Sequence, residues 1–249
     1  MNIRTEKVKI PVGGEAEPMP GYLAIPEGAG PWPAVIVFEE IFGVNAHIRD
    51  VTERVAREGY LAIAPEVHHR VSPEIDFPYN QEGMQKGMQL IPKLTAEGVA
   101  ADVQGTLAFL RARSDVRGDR IGAIGFCIGG HLAYLTACTT DVRATASFYG
   151  GGVATFSPGG GAPTVTRTPG IKGRILCLFG KKDTMIPQAH VDAVRNALSS
   201  AGVAYEIVTY DNAGHAFFCD RPERGSYNQM AATDAWDRVK KLFAEELKS

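Results

Sequence analysis

The hexapeptide Gly125-Phe126-Cys127-Ile128-Gly129-Gly130 follows directly on the apolar run Ile121-Gly122-Ala123-Ile124. A buried strand that runs into small residues on both sides of one reactive side chain implies a sharp strand-to-helix turn. Glycines let the backbone reverse tightly and bring the next helix close to the sheet. At the apex, Cys127 would meet the free amides of a helix start, which favour negative charge. A buried structural cysteine beside a necessary glycine turn is the plain alternative. A thiolate is the stronger nucleophile than the serine more usual at such a turn.

The rest of the chain alternates between strand-like and helix-like segments. Lys7-Val8-Lys9-Ile10 and Gly21–Pro26 predict two short antiparallel strands at one sheet edge. Continuous apolar runs at 34–38 and 61–64 predict buried strands, with a helix between them capped by Asn45 and stopped by Gly59. Further strands are expected at 120–126, 145–149, 174–179 and 204–210. Helices are expected near 99–112, from the turn to about 137, near 188–200, and from about 229 onward. Segment 67–92 lacks a clean period and reads as a loop with a short helix over the sheet edge, and 157–163 reads as a flexible connection. Strand–helix alternation of this kind predicts an α/β fold with a mostly parallel central sheet and helices on both faces.

At 249 residues, one substantial core is enough and a single domain is expected. Twenty-six Lys and Arg against 28 Asp and Glu give a net charge of −2, which offers no argument for nucleic acid or an anionic membrane as partner, and neither is expected. No run approaches the roughly 18 apolar residues of a membrane span. The first residues lack a signal-peptide core, and the four cysteines contain no CxxC pair, so the cytoplasm is the expected location. His68-His69 lack a persuasive ligand set and read as an external turn; no metal site is expected.

Asp183 comes immediately after the strand that ends Leu178-Phe179-Gly180, and His215 comes after the last strand in Ala213-Gly214-His215-Ala216-Phe217. Nucleophile, acid and base in this chain order would meet at the carboxyl ends of parallel strands. There the carboxylate orients the imidazole and the imidazole takes the thiol proton. Asp183 could instead cap a turn, and His215 could be an ordinary loop histidine. Glu39-Glu40 ends another central strand, and one of the two should project toward the site, with a solvated acidic turn as the plain alternative. The main-chain amides of Ile41 and Ile128 are placed to polarise a carbonyl oxygen.

Taken together, Glu40-Ile41-Phe42-Gly43-Val44-Asn45, the Cys127 hexapeptide, Asp183 and Gly214-His215-Ala216-Phe217 resemble the dienelactone hydrolase (carboxymethylenebutenolidase) family. The resemblance implies an α/β-hydrolase fold, with Cys127 as nucleophile, His215 as base and Asp183 as its orienting acid. It selects Glu40 over Glu39 as the carboxylate contacting the resting thiol, and assigns Ile41 and Ile128 as oxyanion donors. It further implies a small ester or lactone substrate and no cofactor; separately, a monomer or weak homo-oligomer is expected. Family enzymes receive a substrate carboxylate with arginines, but Cys219 stands at one such position here. Lys86 and Arg221 are the cations expected to substitute. A thioesterase or general acyl esterase is the nearest alternative activity, and a thiol redox sensor or a silent binding module the alternatives outside catalysis.

Overall fold

A computed structural model describes residues 1–249. Eight strands form one sheet: β1 (Ile3–Ile10), β2 (Met19–Pro26), β3 (Trp32–Phe38), β4 (Leu61–Pro65), β5 (Val116–Phe126), β6 (Ala144–Phe148), β7 (Arg174–Gly180) and β8 (Tyr205–Tyr210). Their spatial order is β1-β2-β4-β3-β5-β6-β7-β8. The first two strands pair antiparallel, and β2 meets β4 antiparallel. Every pairing from β4 onward is parallel, as the buried apolar runs demand. The mixed edge falls where the sequence predicts it.

Helices α1 (Ala46–Arg57), α2 (Gln81–Met88), α3 (Ala96–Arg111), α4 (Ile128–Thr139), α5 (Gln188–Ser200) and α6 (Gln229–Phe243) complete the α/β fold. Asn45 Oδ1 accepts from the amides of His47 and Ile48 at 3.1 and 3.2 Å, which fixes the start of α1. Ile48, Val51, Val55 and Ala56 give α1 its buried face, and Gly59 ends the turn at φ +88°. Almost every residue of α4 is buried, as befits a helix apolar all round and pressed against the sheet.

Three local expectations change. Strand β5 starts at Val116, ahead of the apolar run, because Val116 pairs with Trp32 before a register shift brings Ile121 opposite Ala34. Thr95 accepts from the amide of Gly98 and starts α3 at Ala96, earlier than expected. The connection at 157–163 leads into a 3-10 helix, Thr164–Gly170, that hydrophobic periodicity does not announce. Segment 67–92 does carry its short helix, α2, capped by Asn80. No helix is long and apolar enough to cross a membrane.

Chain order reverses between β3 and β5: β4 lies on one side of β3, and the chain returns to its other side as β5. In parallel sheets such a reversal opens a crevice at the carboxyl ends of the strands. Phe38 is in register with Gly125, so the residues that leave β3 and β5 emerge side by side at that crevice.

Candidate active site

Cys127 occupies the apex between β5 and α4 at φ 57°, ψ −120°, a backbone conformation that costs a non-glycine residue on the order of 1–3 kcal/mol. Its amide donates to Phe148 O at 3.1 Å, and its carbonyl accepts from Gly130 at 3.0 Å. The flanking glycines are required by close backbone approach. A Cβ at Gly129 would lie 2.4 Å from the carbonyl oxygens of Phe38 and Glu39, and one at Gly130 would lie 2.5 Å from that of Phe148. Of the four free cysteines, only Cys127 is partly exposed. Burial pushes the thiols of Cys138 and Cys177 up to about 12 and that of Cys219 up to about 11.

Asp183 follows β7 and His215 lies in the loop after β8. His215 Nδ1 donates to Asp183 Oδ2 at 2.7 Å, while Asp183 Oδ1 accepts from the amide of Met185 at 2.8 Å. Orienting the base and capping a turn are thus done by one carboxylate. The other ring nitrogen, Nε2, is buried without a partner, and both His215 and Cys127 line the same cavity. Burial opposes charge on this imidazole. The adjoining Cys127 sulfur and the Asp183 carboxylate outweigh it and push His215 up to about 10. Tyr149 covers the ring with centroids 5.1 Å apart.

Glu39 and Glu40 diverge as adjacent residues leaving a strand should. The Glu39 carboxyl is fully buried beside the Val67–His68 backbone; burial first, and then Glu66, push it well above the usual carboxylate range. Glu40 is also fully buried: Oε2 accepts from Tyr79 Oη at 3.0 Å and Oε1 has no partner. The hydrogen bond of the Glu40 carboxylate therefore goes to Tyr79 rather than to Cys127. Ile41 and Ile128 both line the cavity. The Ile41 amide donates to no backbone acceptor, and the Ile128 amide opens α4, where no helical partner exists.

The cavity measures about 220 Å³ and is predominantly apolar, with Met84, Met88, Ile91, Phe156 and Met185 in its walls. A larger hollow of about 510 Å³ opens near Arg143 and Arg174, at the opposite end of β6 and β7, and contains none of these groups. Neither expected cation reaches the cavity. Lys86 Nζ lies on the outside of α2, 2.6 Å from Glu82 Oε1. Arg221 turns back toward α1, 3.7 Å from Asp50 and 3.8 Å from Asp220.

The cation that does line the cavity is Arg224. Its guanidinium sits over Phe42 and Tyr79 at 5.5 and 5.9 Å, Nε is buried without a partner, and no carboxylate lies within ion-pair distance. The signal for it was a second arginine enclosed by Pro222 and Gly225, the latter at φ +67°, a turn that redirects the chain. His190, on the first turn of α5, also reaches the cavity and has a buried, unpaired Nδ1. His68-His69 form a turn, but an interior one: both ring nitrogens of His68 are buried without partners, and His69 Nε2 lies 3.1 Å from Asp102. Burial lowers His68 to about 4.

Similarity to known proteins agrees with this architecture. A family model described as "Dienelactone hydrolase family" matches residues 19–247. A Synechocystis sp. protein provisionally assigned as a carboxymethylenebutenolidase is 44% identical, across 100% of this chain and 99% of its own. The carboxymethylenebutenolidase of Rhodococcus opacus is 30% identical over 93% of this chain and 88% of that one. Among solved structures, a provisionally assigned dienelactone hydrolase from Klebsiella pneumoniae superposes with a TM-score of 0.86 at 36% identity, covering 98% of this chain and 99% of that one. With a matching family model over nearly its whole length and relatives this close, the chain belongs to the dienelactone hydrolase family.

Proposed function

We propose that this protein hydrolyses small lactones or carboxylic esters through a thioester on Cys127, with His215 as base and Asp183 as its orienting acid. The family is one of carboxylic-ester and lactone hydrolases, and this chain is a cysteine-dependent hydrolase of that type. The observation that carries the residue roles is the His215–Asp183 bond at 2.7 Å, with the free Nε2 on the cavity that Cys127 lines.

In the proposed cycle, the thiol proton has already passed to His215 Nε2, whose hold on it the adjoining sulfur raises, and the Cys127 thiolate attacks the carbonyl carbon. The resulting oxyanion is received by the Ile41 and Ile128 amides. His215 returns the proton to the leaving alkoxide as the C–O bond breaks. In a lactone, that alcohol stays attached to the acyl group. Water, deprotonated by His215, then attacks the thioester and releases the carboxylic acid and the thiol. Glu40, buried and held by Tyr79, is the carboxylate assigned to the resting state of the site.

The substrate we infer is compact and carries a carboxylate, as dienelactone-like molecules do. An unpaired Arg224 Nε in a predominantly apolar cavity of about 220 Å³ supports that reading. We further infer a single cytoplasmic domain, monomeric or weakly self-associating, that acts on a small molecule and not on nucleic acid. The near-neutral charge supports the last point.

Mass spectrometry during turnover of a lactone and ester panel tests the proposal. A transient adduct equal to the acyl group should appear on the peptide containing Cys127, and Cys127→Ala should lose both adduct and turnover. Full activity in that variant would sink the assignment.

A further inference from the structure

His131 lies one turn into α4, where its amide donates to Cys127 O at 3.3 Å, and its side chain is completely buried. Its Nδ1 is 2.9 Å from Gly151 O, and a carbonyl can only accept, so this nitrogen carries the proton. In the neutral ring, Nε2 is then an acceptor and takes the hydroxyl of Thr164 at 2.7 Å. Burial lowers His131 to about 4, which keeps the ring neutral at ordinary pH.

These two bonds join three segments: the helix behind Cys127, the loop after β6, and the 3-10 helix at Thr164. The loop after β6 is one wall of the cavity, contributing Gly151, Gly152 and Phe156. Phe156 packs on the His131 ring with centroids 4.8 Å apart. It also lies directly on Gly152, where an added Cβ would come within 2.0 Å of the aromatic ring. Phe156 O accepts from the Thr164 amide at 3.1 Å, closing the circuit through the other partner of His131.

We propose that His131 is a positioning residue that sets the size of the group accepted beside Cys127, by fixing the Gly151–Phe156 wall relative to the elbow helix. The inference rests on the hydrolase reading above. A ring with one donor and one acceptor on separate edges can hold both partners; an aliphatic side chain holds neither, and asparagine can replace only the bond to Gly151.

The test compares wild type, His131→Asn and His131→Leu by kcat/KM per active site, counted by iodoacetamide labelling of Cys127. The substrates are acetate against benzoate esters of one phenol, and phenyl against naphthyl acetates. Loosening the wall should favour the bulkier member of at least one pair by about fivefold to tenfold in His131→Leu, with His131→Asn intermediate. Because each ratio is internal to one sample, loss of folded protein does not move it. If both ratios stay unchanged in both variants while wild type forms its Cys127 thioester, this inference is overturned and the hydrolase reading stands. A wild type that never forms the thioester overturns the hydrolase reading instead. If His131→Leu does not fold, His131→Asn decides alone, since a shift confirms the clamp and unchanged ratios reject it.

Discussion

His215 donates from Nδ1 to Asp183 Oδ2 at 2.7 Å, and the second oxygen of the same carboxylate holds the amide of Met185 at 2.8 Å. Asp183 is thereby fixed in rotation by the backbone of its own loop before it orients the imidazole. Asp183→Asn would keep its oxygen on the Met185 amide and turn its NH₂ toward Nδ1. The ring must then accept at Nδ1 and carry its proton on Nε2, the wrong nitrogen for a base facing Cys127. We expect kcat/KM to fall by about 10²- to 10⁴-fold with little loss of fold, measured by steady-state kinetics alongside circular dichroism.

A raised pKa means that the group keeps its proton below that value. With His215 pushed up to about 10, the imidazolium persists through neutral pH and is lost only above about 10. Cys127 is the leading cause of the rise, acting against burial, so Cys127→Ser should shift the His215 midpoint downward. Nitrogen-15 NMR titration of the ring measures it directly. A midpoint that does not move would show that the sulfur exerts no such influence.

Tyr79→Phe removes the hydroxyl that donates to Glu40 Oε2 at 3.0 Å, leaving a fully buried carboxylate with neither oxygen paired. An orphaned buried acceptor of this kind costs about 1–3 kcal/mol. Urea denaturation of the variant against wild type should report a loss in that range.

Arg224→Ala should split substrates by charge. A lactone bearing a carboxylate should lose about 10- to 100-fold in kcat/KM, chiefly through KM, while a neutral ester of the same size changes little. Lys86→Ala should leave both alone, because Lys86 is engaged with Glu82 outside the cavity. Equal losses on charged and neutral substrates in Arg224→Ala would mean that the guanidinium holds the wall, not the ligand.

The positions and shared direction of the central strands were legible because most are apolar runs alternating with helices, and parallel strands have one end at which chemistry collects. Cys127, Asp183 and His215 each come within a few residues of the end of a parallel strand, so knowing the strands was enough to bring their positions to one end. Arg224 was not legible in the same way. Its approach depends on a turn through Gly225 and on the aromatic faces of Phe42 and Tyr79, neither of which periodicity encodes. Lys86 was misplaced for a reason that could have been read. Met84 and Met88 stand four apart and share the cavity face of α2, which turns the residue midway between them outward. The Glu40 contact with Tyr79 unites a strand end with the least regular segment of the chain, a pairing that only tertiary packing decides.

The sulfur and the imidazole come from opposite regions of the sheet order: Cys127 follows the central β5, and His215 follows β8, its outermost member. An incompletely assembled molecule lacking that last strand would keep the sulfur but not its proton acceptor. The reactive pair is born only when the margin docks, so chemical competence doubles as a readout of finished folding.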